Sequence, residues 1–144
     1  MTAMAEPSPL EEAVARVGDR WALLIVSALL DGPRRFNDLQ ADVAGIAPNV
    51  LSQRLRTLEQ HGVVMATPYS ERPPRFVYQL TPAGTELAGA LRLLAQWGAG
   101  QSPDTVEPLR HSPCGTPLEA RWYCPTCGRV EGDAAAAEDD VRFL

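Results

Sequence analysis

Two groups of side chains in this sequence have the types and spacing to do chemistry. The first is His111-Ser-Pro-Cys114 followed by Cys124-Pro-Thr-Cys127: His-x2-Cys, nine residues, then Cys-x2-Cys. A two-residue gap lets one turn present two ligands, and four nitrogen or sulfur donors complete the tetrahedron that zinc prefers. Gly115 and Gly128 follow the second member of each pair, where a tight turn favours glycine. His111, Cys114, Cys124 and Cys127 are therefore expected to hold a structural Zn2+. Four protein ligands leave no position for water, which argues against a catalytic metal. A Cys124–Cys127 redox pair is the alternative, although no thioredoxin-like βαβ pattern surrounds it. A structural disulfide would suit neither a reducing compartment nor an odd number of cysteines.

The second group lies on Pro48–His61. Pro48 suits the first position of a helix and Gly62 the position just past its end. Leu51, Leu55 and Leu58 recur at helical spacing and define a buried stripe. The opposite face carries Asn49, Gln53, Arg56 and Gln60, flanked by Thr57, and holds no carboxylate; Glu59 lies to one side and Arg54 borders the stripe on the other. Amides pair with adenine and guanidinium groups with guanine in the major groove of DNA, so this face has the chemistry of a base reader. An ordinary amphipathic surface helix would show the same stripe. His61, in the last turn, favours the helix dipole when protonated and is read as a cap rather than a ligand.

The rest of the chain must position these groups. At 144 residues it has room for one ordinary domain and a small appendage, and its 45% hydrophobic content allows a core. No apolar run approaches the roughly 20 residues that span a bilayer, and the first residues lack the basic and apolar blocks of a signal peptide. A cytoplasmic protein without membrane attachment is expected. All thirteen basic residues are arginine, which favours forked hydrogen bonds over point charges. The net charge of −5 argues against a general polyanion binder, but it is unevenly spread. Arg20 to Arg75 holds seven arginines against five acids, whereas Gln101 to Leu144 holds four against eight.

Ser8-Pro-Leu-Glu11 is a capping box that opens a helix to Val17, with Leu10, Val14 and Val17 expected inward. Asp19 caps a second helix from Arg20 to about Leu30, apolar almost all round and expected at the centre of the core. After a short extended piece, Arg34-Arg35-Phe36, Asn37 is read as the cap of a third helix with Gln40 as its reciprocal partner; Leu39 and Val43 face inward and Gly45 ends it. Third helix, Gly45-Ile46-Ala47 and the leucine-striped helix form a helix-turn-helix. Ala47, at the N-cap, offers no side-chain oxygen. Residues 63–69 and 75–80 read as two strands joined by a projecting, proline-rich loop, Ser70–Pro74, which is expected to be too long for a tight turn. A solvated hairpin is the plainer reading; as a wing its tip would follow the minor groove, with Arg72 as the probe. Thr81-Pro82 opens a last helix to about Trp97, with Leu87, Ala90, Leu91, Leu94 and Trp97 along one side, a stripe suited to a subunit interface.

Arg20-Trp21-Ala-Leu-Leu-Ile, Asp31-Gly-Pro-Arg-Arg-Phe36, Gly45-Ile46, Leu51-Ser-Gln-Arg-Leu-Arg-Thr-Leu58, Gly62, Pro73-Pro74-Arg75-Phe-Val-Tyr78 and Leu80-Thr81-Pro-Ala-Gly84 stand in an order that resembles the HxlR-type winged-helix transcription regulators, over roughly residues 8 to 98. The resemblance implies a dimer that binds operator DNA, its first and last helices forming the interface, with Pro48–His61 as recognition helix and Ser70–Arg75 as wing. Family members commonly carry a cysteine just before the first helix's proline. Ser8 stands there, and no thiol precedes Cys114, so thiol switching at that site is excluded. Arg20 replaces the usual lysine and could hold a phosphate or pair with Asp19 or Asp31.

The expected architecture is α+β, mainly α: a winged helix-turn-helix with a two-stranded wing (8–98), a linker (99–108), a zinc-ribbon-like appendage (109–131) and an acidic tail (132–144). The expected function is sequence-specific binding of double-stranded operator DNA, with repression as the expected outcome. The homodimer would form through the N-terminal helix and the 82–98 helix and read an inverted repeat. Asn49, Gln53, Arg56 and Thr57 are the base-contact candidates, Arg20, Arg34, Arg35 and Arg54 the phosphate candidates, and Arg72 and Arg75 belong to the wing. A protein–protein adaptor is the second reading, since winged helices also serve as docking modules; a redox-responsive regulator using Cys124 and Cys127 is another. Trp21, Phe36, Tyr69 and Trp97 could line an inducer pocket between subunits, although core packing accounts for them. No paired carboxylates, nucleophile–base pair or phosphate-cradling glycine loop points to an enzyme.

Overall fold

In the computed structural model, which describes residues 6–102, 104 and 107–131, the chain divides into two units, Met1–Leu91 and Arg92–Leu144. The expected acidic tail, 132–144, lies outside the described residues.

The first unit opens with α1 (Pro9–Val17) and α2 (Arg20–Leu30), followed by β1 (Arg34–Arg35) and α3 (Phe36–Asp42). The capping box at α1 is complete: the Ser8 amide donates to Glu11 at 2.6 Å and the Glu11 amide donates to Ser8 Oγ at 3.2 Å. Ser8, through its backbone amide first and its side chain second, holds the exposed Glu11 carboxyl below its usual range. Only Val17 of α1 is buried; Leu10 is 72% and Val14 56% exposed, so two of the three residues expected inward are exposed instead. At α2, Asp19 caps through Oδ1 as expected, accepting from the Trp21 and Ala22 amides. Ala22, Ile25, Val26 and Leu29 face the core, while Leu24 looks outward, so α2 is less enclosed than its sequence suggests.

The third helix begins two residues earlier than expected. Arg35, not Asn37, is its N-cap, and the Arg35 amide donates to Asp38 at 3.3 Å in place of the expected Asn37–Gln40 pair. Pairing of β1 with β3 (Pro74–Leu80) fixes the backbone at Arg34 and Arg35, and that sets where the helix starts. Leu39 and Val43 are buried as expected, and Gly45 turns the chain with φ +81°. The helix α4 (Pro48–Gln60) follows, its Leu51, Leu55 and Leu58 at most 1% exposed. Together with Ile25, Val26 and Leu39 they form the centre of the core. Gly62, with φ +69°, ends the helix, and Val63 and Val64 lead the buried end of β2 (Val64–Glu71).

The wing departs from expectation. β2 and β3 pair antiparallel out to Glu71 and Pro74, so Arg72 and Pro73 alone connect them, through a cis peptide bond. Pro74 is tolerated because it begins its strand, and Pro68 because β2 is an edge strand interrupted beside it by a register shift. The sheet also has a third strand, in the order β1-β3-β2.

The single helix expected from Pro82 to Trp97 is two: α5 (Pro82–Thr85) and α6 (Ala88–Gln101). Gly84 is buried so tightly that a Cβ there would run into the Val63 carbonyl, and Thr81 caps α5 while its own amide bonds to that carbonyl at 3.0 Å. This contact with the exit of α4 fixes α5, and the chain must turn before α6 begins. Leu87 and Leu91 pack on the core; Leu94 and Trp97 are 53% and 68% exposed. Ala99–Gln101, expected in the linker, continue α6.

The second unit contains a β-bridge between Arg110 and Pro117 and the hairpin β4 (Trp122–Cys124) and β5 (Arg129–Glu131). Among described residues, none of 107–131 with an assigned exposure is buried, and only Cys124 is half-buried. No helix of the described residues is long and apolar enough to cross a membrane.

Candidate nucleic-acid interface

The leucine seam of α4 sets which residues face away from the core. Helical geometry puts Asn49, Gln53, Arg56 and Gln60 within an arc of about 60°, and all four are exposed. Ser52 extends this face toward the wing and is exposed as well. It was not among the candidate contacts, yet the helical angle alone would have found it. Thr57 flanks the other side, half-buried, with its hydroxyl donating to the Gln53 carbonyl at 3.0 Å. Thr57 thus spends its donor within the helix.

An open groove of about 630 Å3 lies between the start of α3, Ser52 and the wing, lined by Arg35, Asn37, Tyr69, Arg75 and Tyr78 among others. The Arg35 guanidinium lies over the Tyr69 ring, 4.7 Å from its centroid, which holds a cation at this groove. Arg72 and Arg75 are exposed at the wing. Burial and the nearby Glu59 carboxylate both raise the Tyr78 phenol, so it stays a neutral donor across the physiological range.

Two arginines expected on phosphates are already partnered. Arg54 Nε donates to Asp19 Oδ1 at 2.8 Å, joining the middle of α4 to the cap of α2. Burial works against ionisation of Asp19, but the Arg54 hydrogen bond and charge, with the Ala22 and Trp21 amides, outweigh it and keep the carboxyl below its usual range. Arg34 Nε donates to Asp42 at 3.2 Å and its Nη1 to the Pro33 carbonyl at 3.1 Å, tying β1 to the end of α3. Arg20 remains exposed and stacks over Trp21 at 4.5 Å; the expected Asp19 partner has gone to Arg54.

The four metal-ligand candidates come as two pairs. His111 Nδ1 lies 3.2 Å from Cys114 Sγ, which in turn lies 3.3 Å from Thr116 Oγ1. Hydrogen bonds from Thr116, side chain before backbone, lower the Cys114 thiol pKa. Cys124 ends β4 and Cys127 lies in the turn that leads to β5, and none of the three cysteines is in a disulfide. Among the described residues no group of three or more His, Cys, Asp or Glu side chains is gathered closely enough to hold an ion.

The chain matches the family described as HxlR-like helix-turn-helix over residues 16–105. It is 40% identical over 126 residues to an uncharacterised HTH-type transcriptional regulator of Mycobacterium tuberculosis, covering 85% of this chain and 79% of the relative. It is 38% identical over 93 residues to an uncharacterised HTH-type transcriptional regulator, YtfH, of Escherichia coli, covering 65% and 74%. Among solved structures, the redox regulator HypR in its oxidised form is 29% identical with a TM-score of 0.60, over 64% of this chain and 95% of that one. The reduced form of the transcriptional regulator YodB from Bacillus subtilis is 32% identical with a TM-score of 0.56, over 71% and 100%.

Proposed function

The chain belongs to the HxlR-like helix-turn-helix family and is an HTH-type transcriptional regulator; on that premise we propose that it represses by binding an inverted-repeat operator as a cytoplasmic homodimer. The observation that carries the reading is the outward face of α4, where exposed amides and a guanidinium stand opposite a fully buried leucine seam. Asn49, Gln53 and Arg56 read base edges in the major groove, with Ser52 at the margin. Arg20 and Arg35 hold phosphates, and Arg72 and Arg75 carry the wing into the neighbouring minor groove. Arg54 braces the reading helix against the cap of α2, and Arg34 ties β1 to the end of α3. The open groove between α4 and the wing supports this division, because it leaves a path for one strand of the duplex.

The homodimer uses α1 and α6, whose Leu10, Val14, Leu94 and Trp97 are exposed in the single chain. Large apolar side chains left in water on two separate helices support an association surface. To the winged helix the segment 109–131 adds a zinc-ribbon-like appendage. Footprinting on the promoter beside its own gene tests the reading. Two protected half-sites about one helical turn apart are expected, with affinity falling as salt rises. Absence of binding to any DNA would leave the adaptor reading in its place.

A further inference from the structure

The winged helix makes no use of His111, Cys114, Cys124 and Cys127. We propose that these four residues close on a single zinc ion that holds segment 109–131 together. This deepens the zinc-ribbon-like reading above and does not depend on DNA recognition.

The two ligand pairs sit on turns of the same construction. In the first, the Gly115 amide donates to the His111 carbonyl at 2.7 Å, and Gly115 has φ +73°. In the second, the Gly128 amide donates to the Cys124 carbonyl at 2.9 Å, and Gly128 has φ +67°. Each turn thus runs from first ligand, through second ligand, to a left-handed glycine four residues on. Each is also the tip of a hairpin-like pair. Leu109 and Leu118 are joined by a backbone bond of 2.8 Å beside the Arg110–Pro117 bridge, and Trp122–Cys124 pairs with Arg129–Glu131. Three residues, Glu119–Arg121, connect the two.

The donor set and its spacing suit the ion. Zn–N of about 2.0 Å and Zn–S of about 2.3 Å place two tetrahedral neighbours roughly 3.5 Å apart. His111 Nδ1 and Cys114 Sγ lie 3.2 Å apart, close to that edge. The step that the proposal adds is the meeting of the two pairs, because among the described residues no three such side chains are gathered around a common point.

The need for such an ion follows from burial. Leu109, Leu118, Trp122, Tyr123 and Val130 are all at least 40% exposed, so 107–131 has no apolar core of its own. A segment of this size without a core is held by metal or cross-links, and its cysteines form no disulfide. Three thiolates and one imidazole fill the tetrahedral shell, so the site is structural and offers no position for a reacting water.

The test uses the full chain without an added histidine tag. Elemental analysis is expected to give about one zinc per chain. Cys114→Ser, Cys124→Ser and Cys127→Ser should each lose most of it, and His111→Ala should weaken zinc binding about tenfold or more. Cobalt(II) in place of zinc should give the intense visible bands of a tetrahedral, sulfur-rich site. Chelation should speed tryptic cleavage at Arg110, Arg121 and Arg129 while the unfolding of the first unit stays unchanged. Metal-free protein whose three thiols react at the same rate with and without chelator would overturn the proposal, as would zinc retained by the triple Cys→Ser variant. Neither readout depends on operator binding, so its failure and that of the DNA-reading proposal are separable.

Discussion

Replacing Arg54 by alanine is expected to cost stability and leave DNA reading intact, whereas Arg56→Ala, two positions on, should do the reverse. Arg54 donates to Asp19 at 2.8 Å, with the two side chains 30% and 40% exposed. Solvent screening at that exposure keeps the pair near the top of the surface range, about 1 kcal/mol. Asp19 also caps α2, which adds about 1 kcal/mol, so Asp19→Ala should cost about 2 kcal/mol. The double variant should cost no more than Asp19→Ala alone, leaving a coupling of about 1 kcal/mol. Arg56 is exposed on the reading face, so its loss should change stability by no more than about 0.5 kcal/mol but cost about 1–3 kcal/mol on the operator. Urea denaturation measures the first effect and operator titration, corrected for folded fraction, the second. Asp19→Asn keeps an acceptor for the cap and isolates the charge. Because Asp19 has its folded pKa lowered, the stabilisation is complete above its unfolded value, near 3.9, and disappears as pH falls through the folded value. Wild type and Asp19→Asn should therefore converge on acidification. Near-zero coupling, together with equal operator losses for Arg54→Ala and Arg56→Ala, would refute the assignment of Arg54 as a brace.

Leu55→Ala opens a cavity at the centre of the core and should destabilise by about 2–5 kcal/mol in the same urea assay; a cost below 1 kcal/mol would deny the seam its role. Gly84→Ala should destabilise the first unit because its Cβ has no room beside the Val63 carbonyl, read as a lower melting temperature. Arg72→Ala should weaken binding to sites with A·T-rich flanks more than to sites with G·C-rich flanks, and equal loss on both would remove the minor-groove role. Val14→Glu on α1 should shift sedimentation from dimer toward monomer with little change in far-UV circular dichroism; an unchanged dimer would move the interface elsewhere.

Local signals were legible in the sequence wherever a side chain acts on its own neighbourhood. Ser8 with Glu11, Asp19 as a cap, the leucines of α4 and the glycine after it all worked within four residues, and the fold follows them. What escaped depended on distant partners. Nothing near Arg54 announces that its acceptor lies 35 positions earlier, and nothing near Gly84 shows that the Val63 carbonyl will sit against it. The wing looked like a loop because prolines break strands in general, yet a first-position proline and an edge strand tolerate them. On α1 the expectation that Leu10 and Val14 face inward fails, because an apolar period does not say which surface covers it; the two are 72% and 56% exposed. The polar face of α4 is legible from residue type and helical spacing; that Ser52 continues it and that the Thr57 hydroxyl bonds to the Gln53 carbonyl depend on angle and hydrogen bonding, which type alone does not give.

The central claim is that α4 reads bases through its exposed amides and guanidinium. Titrating Gln53→Ala against the footprinted operator and against random DNA of equal length tests it most directly. A loss of about 1–3 kcal/mol on the operator with far less on random DNA is predicted. Equal losses on both would mean that Gln53 reads no base.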